Sequence, residues 1–308
     1  MPTGRISDSD YRGKRTKPMY QLARRLILRQ VRVEVIVAAV VCTAVTVMPA
    51  LAEDAAPGPN FSPNNSTGWL AQDDEFIPPP SGPGPVTFDP AHPYISFYKF
   101  PRNPKPAFRV ADLTNPILQP WTREELRKAN ERALSGKVVS IPKERCWPVG
   151  VPAFLLYPAT PVYFLQTPRE ISMIWMQDHQ VRRVYLNVPH TANPKPSWFG
   201  ESVGRYEGDA LVVDTIGIST KTFVDNYKTP HTEQLHVTER FRLIEDGKTM
   251  EVNVRVEDPG AFTMPWNAIQ RYRRVEQGPM MELVCAENNG DHFHHDLDPM
   301  PQADKPDF

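Results

Sequence analysis

The chain has 308 residues, 34 of them proline and only 3 cysteine, with 23% charged residues and a formal charge of −1. That balance excludes a strongly basic nucleic-acid binder. The cysteine count excludes both a disulfide-dense miniprotein and a zinc site built from cysteine alone.

Residues 1–32 carry nine Lys and Arg against Asp8 and Asp10, and an apolar run follows from Val35 to Met48. Ala50-Leu51-Ala52 closes the segment with a small-x-small cleavage pattern. This order of basic, apolar and small segments reads as a secretory signal peptide over 1–52, and the run is shorter than the ~20 residues of a membrane span. Arg24-Arg25 leaves twin-arginine and general secretory export both open. Without 1–52 the chain holds 26 basic and 33 acidic residues, a formal −7, as expected of a periplasmic or secreted protein with no membrane span and no nucleic-acid partner. Cys146 and Cys285 then remain, either bridged, as an oxidising compartment favours, or as two buried thiols.

Residues 53–120 contain 15 prolines, including Pro78-Pro79-Pro80, and read as a tether without helix or central strand. Its later aromatics, Tyr94, Phe97, Tyr98, Phe100 and Phe108, suggest an extended arm packed on the following domain. A leading helix is expected over 122–135: Thr122 and Glu125 form a capping box, Leu126, Ala129, Ala133 and Leu134 make an apolar stripe, and Gly136 ends it.

From 154 onward the pattern turns to short strands, expected near 154–157, 162–166, 170–176, 181–187, 202–207, 210–217, 234–244, 249–257, 268–275 and 280–286. Gln177-Asp178, Glu207-Gly208-Asp209, Glu245-Asp246-Gly247 and Gln277-Gly278-Pro279 supply turns. The fold class is therefore mainly β. An antiparallel meander forms a lipocalin-like barrel or a strongly curved sheet, with a two-sheet sandwich as the alternative. The domain spans 121–290, and 291–308 reads as a disordered tail.

Alternation places the unusual residues. Leu235, Val237, Phe241 and Leu243 share a face with Glu239, opposite Met250, Val252, Val254 and Val256. A carboxylate in that row needs a partner, and the parities of Arg183 and Arg205 bring them into consideration. Glu239 is thus either a structural ion pair or a polar group in a ligand site. His236, Thr238, Arg240 and Arg242 fall on the opposite, solvated face. His231-Thr232-Glu233 offers acid–base chemistry by His231, with Glu233 or Asp225 as orienter. A metal held by His231 and Glu233, completed by His190 or Asp225, or one in the His292–His295 tail, is the weaker alternative, so no metal or cofactor is assigned. Trp198, Phe199, Tyr206, Phe223, Tyr227, Phe262 and Trp266 could line a ligand site. Neither a nucleophile elbow nor a phosphate-cradling glycine loop is present.

Ser202-Val203-Gly204-Arg205-Tyr206-Glu207-Gly208-Asp209-Ala210-Leu211-Val212-Val213-Asp214-Thr215 resembles a recurrent signature of a family of exported bacterial proteins. Tyr206 stands where that family has Trp, and Ala210 where it has Thr. His231-Thr232-Glu233-Gln234-Leu235-His236-Val237-Thr238-Glu239-Arg240 and Asp258-Pro259-Gly260-Ala261-Phe262-Thr263-Met264-Pro265-Trp266 resemble two more of its segments. The likeness runs from about Trp121 to Asn288. It transfers no reaction, but it implies that His190, His231, Glu233, Glu239, Asp258 and Trp266 belong to a shared pattern. Asn187-Val188-Pro189 replaces the family's usual Asp-Gly-Arg before His190.

Three functions follow. The first is a small-molecule-binding module, with Arg183, Arg205, His190, Tyr206, Trp266 and Asp258 as ligand-binding candidates. The second is an acid–base lyase, isomerase or hydrolase using His231, Glu233, Glu239 and Asp225. The third is a structural envelope component docking through the Pro-rich arm, which predicts that removing 53–110 leaves the barrel folded.

Overall fold

The computed structural model describes residues 58–64, 66–94, 109–136, 142–278 and 280–285. The expected leader at 1–52, the arm aromatics Phe97, Tyr98, Phe100 and Phe108, and the His292–His295 tail lie outside the described residues. Among the described residues no helix is long and apolar enough to cross a membrane.

Nine strands close into a barrel: β1 (Thr67–Ala71), β2 (Val162–Gln166), β3 (Glu170–Trp175), β4 (Gln180–Leu186), β5 (Glu201–Glu207), β6 (Ala210–Ile216), β7 (His236–Ile244), β8 (Thr249–Glu257) and β9 (Trp266–Glu276). The mainly β, barrel-type expectation holds, and the sandwich alternative does not. Closure comes from β1, which pairs with both β2 and β9. This corrects the reading of the Pro-rich segment as free of central strands. Thr67-Gly68-Trp69-Leu70-Ala71 contains no proline, so all five residues can join the ladders. An arm that supplies a barrel strand cannot be removed with the barrel left intact.

The meander has one exception. β4 and β5 run parallel, in the register Val184↔Ser202, Tyr185↔Val203 and Leu186↔Gly204. The chain returns between them through 187–200, which is long enough to reverse direction. Gly204 permits the close pairing, since a Cβ there would lie 2.7 Å from a Val184 methyl. Two expected strands are absent: 153–155 is a short 3-10 turn, and 280–284 has no strand. The latter segment is tied down by the Cys146–Cys285 disulfide and by hydrogen bonds to Asp178. That bridge closes a loop of 139 positions, worth about 2–5 kcal/mol.

The interior is packed with side chains. Trp69, Trp175, Trp266, Phe61, Phe164 and Phe241 are all buried at 1% exposure or less. Each such burial contributes about 1.5–3 kcal/mol. Phe61, Phe164 and Phe241 touch one another with ring centroids 4.9–6.4 Å apart.

The helix α1 (Pro120–Leu134) starts at Pro120, whose fixed φ suits the first helical turn. The expected capping box does not form, because the Thr122 hydroxyl donates to the Ala261 carbonyl instead. Thr122, Leu126, Asn130 and Ala133 are its buried side chains, and Leu134 is exposed. The Asn130 amide clamps Ala111, accepting from its N–H and donating to its carbonyl. Gly136 ends the helix at φ +79°. Beyond β1 the proline strap continues along the edge of β9: Ile77 bridges Ile269, and the Asn267 N–H donates to the Pro83 carbonyl.

Candidate functional site

Two polar clusters lie on opposite faces of the same strands. Inside, β4 presents Arg182, Val184 and Leu186, not the Val181, Arg183 and Tyr185 row. Arg182 forks onto Glu239: Nη1 donates to Oε1 at 2.9 Å and Nη2 donates to Oε2, while Nη2 and Nε also bond Thr215 and Ser202. Both side chains have 0% exposure. The expectation that Arg183 or Arg205 meets Glu239 is corrected. Arg183 is 63% exposed and lies 3.6 Å from Glu170, while Arg205 pairs with Glu207 at the surface. Every oxygen of Glu239 is used within this closed network, which gives it the form of a structural pair with good bidentate geometry.

Outside, at the end of β7, the solvated parity carries a chain of five groups. His190 Nδ1 lies 3.0 Å from Glu201 Oε1, and its Nε2 lies 2.7 Å from Asp214 Oδ1. His236 Nε2 lies 2.8 Å from the other oxygen, Asp214 Oδ2. His236 Nδ1 then faces Glu257 Oε2 at 3.9 Å. The residues come from β5, β6, β7, β8 and the loop before β5, and the sheet register sets them side by side: Asp214 pairs with Thr238, and His236 pairs with Glu257.

Hydrogen-bond chemistry fixes the roles. An imidazole has one donor and one acceptor when neutral and two donors when charged. His190 faces a carboxylate at each nitrogen, so both contacts are hydrogen bonds only in its imidazolium form. His236 has one carboxylate within hydrogen-bond reach, at Nε2, which assigns the proton to Nε2 and leaves a lone pair on Nδ1 in the neutral ring. Burial pushes the Asp214 carboxyl up, but the hydrogen bonds from His236 and His190 outweigh it and bring it down to about 2. The bond to Asp214 lifts His236 above the ordinary histidine value, against the effect of burial. Burial likewise raises Glu201, and the bonds from Thr191 and His190 overcome it and hold it low.

A cleft of about 580 Å3 opens beside this chain, lined by Gln119, Gln234, His236, Glu257, Asp258, Pro259, Phe262, Thr263, Met264 and Pro265. The loop 258–265 builds its far wall. Asp258, itself buried, organises that loop by accepting from the Thr232 N–H and hydroxyl and from the Gly260 and Ala261 N–H groups.

The remaining expected residues lie apart. His231 is buried, with Nε2 on the Thr222 hydroxyl at 2.9 Å and Nδ1 on the Thr232 carbonyl at 2.9 Å. Its orienter is therefore a carbonyl, while Glu233 is exposed and neither Glu233 nor Asp225 is among these contacts. Burial holds His231 below the ordinary histidine value. Asp225 is buried in its own loop, accepting from the N–H groups of Tyr227 and Thr229 and from the Thr229 hydroxyl; burial pushes it up to about 6, against those bonds. Among the described residues, no group of three or more metal-ligating side chains is arranged to hold an ion. Trp266 is core, stacked edge-on against Phe76 and Phe262. Tyr206 covers Gly58 and accepts a bond from Gln166. Trp198 packs on Trp147 and Phe199 on Phe154, so the candidate aromatics do not converge on one site. Alternation puts His236 on the solvated face but carries no sign of its bond to Asp214. The available signal was a histidine and two carboxylates on outward parity of neighbouring strands.

No family model, curated protein or solved structure matches this chain.

Proposed function

We propose that this chain is an exported small-molecule-binding protein whose site is the cleft on the barrel rim rather than the lumen. One observation carries the reading: the lumen is filled by aromatics and a closed ion pair, whereas the rim cleft has the volume of a small-ligand site. It combines an apolar wall, with Met264 and Pro265 at the surface and Phe262 beneath them, with an oriented imidazole whose second nitrogen has no partner closer than 3.9 Å among the described residues. The Cys146–Cys285 bridge fits an oxidising compartment, in keeping with the leader-like order of residues 1–52. The resemblance to exported bacterial proteins points the same way.

An NMR fragment screen tests the reading. Binders are expected to shift amide signals of Gln234, His236, Thr263 and Met264, and Met264→Trp, which fills the cleft from an exposed lip position, is expected to abolish binding. Shifts confined to other surfaces would overturn it. A second reading, acid–base catalysis, is favoured by the same imidazole, with His236 in the role assigned above to His231 and Asp214 as its orienter.

A further inference from the structure

The geometry points to a ligand class for the rim cleft: we propose that it takes a small primary amine, bound as the ammonium ion with its apolar body against the 258–265 loop. The inference rests on the cleft being the binding site. Its basis is the gap between His236 Nδ1 and Glu257 Oε2. At 3.9 Å the two are too far apart for a direct hydrogen bond. One donor group seated about 2.8 Å from each fits between them. Both atoms are acceptors when the ring is neutral, because Nε2 carries the proton toward Asp214. Glu257 Oε1 is already taken by Arg255 Nε at 2.5 Å, so Oε2 is the oxygen left for a ligand. A carboxylate ligand would meet two lone pairs and be repelled. A hydroxyl has only one proton for two acceptors. An ammonium group has three, and its charge meets the Glu257 carboxylate.

Protonation closes the bracket. The charged groups facing His236 are Asp214 from β6, Glu257 and Arg255 from β8, with His190 and Glu201 behind Asp214. As pH falls, Nδ1 gains a proton, turns donor toward Glu257 and repels an ammonium. Amine binding therefore rises with pH through the His236 transition. Asp214 acts here as a positioning residue: it fixes the tautomer and stabilises the imidazolium. Asp214→Asn is expected to move the binding transition to lower pH, a change that loss of packing alone would not produce.

The experiment is calorimetric titration of the full chain at pH 8 with three probes of matched body: 2-phenylethylamine, 2-phenylethanol and 3-phenylpropionate. The amine is expected to bind about tenfold tighter than the alcohol, and the carboxylate weakest. Glu257→Gln is expected to remove most of the amine's advantage with the melting temperature unchanged within a few degrees, and Met264→Trp to remove binding of all probes. Equal binding of amine and alcohol, or a preference for the carboxylate, would overturn the ligand class while leaving the cleft as a binding site. Amine binding that survives Met264→Trp, or no binding by any probe at millimolar concentration, would overturn both. A binding transition unmoved in Asp214→Asn would overturn the role given to that residue.

Discussion

The inner and outer faces of β4–β8 carry two ionic clusters with opposite finish, an arginine–glutamate pair inside and a histidine–carboxylate chain outside. Inside, Arg182 and Glu239 satisfy each other and are completed by Ser202 and Thr215, with no exposure. Outside, Glu201, His190, Asp214 and His236 are hydrogen-bonded in a row, and among the described residues the far nitrogen of His236 has no partner nearer than Glu257 at 3.9 Å, beside an open cleft. A closed network specifies a core, because any missing partner leaves a buried charge. An open one has spare bonding capacity, and that capacity is what a ligand can use. The contrast lies above all in where each cluster stops.

The largest effect that would break this contrast is on the inner pair. Glu239→Gln is expected to cost about 3–5 kcal/mol, because it leaves the Arg182 guanidinium charged and buried. Replacing both, Arg182→Met with Glu239→Leu, is expected to recover most of that loss. Urea midpoints of the single and double variants check this, and a double variant as unstable as the single would assign the pair more than self-compensation.

Next in size is a pH effect from a buried carboxyl against one from the rim. Asp225 has a folded pKa of about 6, raised by burial above its unfolded value of about 3.9. It therefore contributes stability that is fully present below about pH 4 and lost as pH rises through 6. Asp214 runs the other way: its carboxyl is depressed to about 2, so its contribution is present above pH 4 and lost as pH falls toward 2. In Asp225→Asn the decline in urea midpoint between pH 4 and 7 is expected to flatten, and in Asp214→Asn the acid-side decline. A wild-type pH dependence retained in both variants would contradict these assignments.

The smallest expected stability effects are at the surface. Arg183→Ala should change stability by less than about 1 kcal/mol, since exposed pairs contribute little. Arg182→Ala should resemble the Glu239 variant. Equal effects of Arg182→Ala and Arg183→Ala would mean the inward face of β4 is misassigned.

That one-residue contrast also shows how far the sequence reaches. In β7 and β8 the alternation is unambiguous, and the rows Val237, Glu239, Phe241 and Val252, Val254, Val256 face inward as expected. In β4, Val181-Arg182-Arg183-Val184-Tyr185-Leu186 carries apolar residues on both parities and an arginine on each, so hydrophobicity alone does not choose a face. Burial chooses it, through Glu239, which lies far away in sequence. β1 was illegible because five residues between prolines look like linker until β2 and β9 supply both neighbours. The parallel β4–β5 pair was hidden because a long connection carries no signature of the direction in which the chain returns. The rim site is half legible: the sequence points to His190 and Asp258, each by itself. Their relation to Asp214, His236 and Glu257 is set by register across several strands, which no local motif records.

The placement of β1 also sets a timetable. Thr67 pairs with Glu276, so among the described strands the first to be synthesised is sealed by the last. A chain growing from its N-terminus must carry Trp69 and its neighbours unpaired on one edge until β9 arrives. Closure is thus a single late event governed by a long-range contact, the kind that makes folding slow. Until it occurs, β1 and β9 are open edges on which two incomplete molecules could pair with each other.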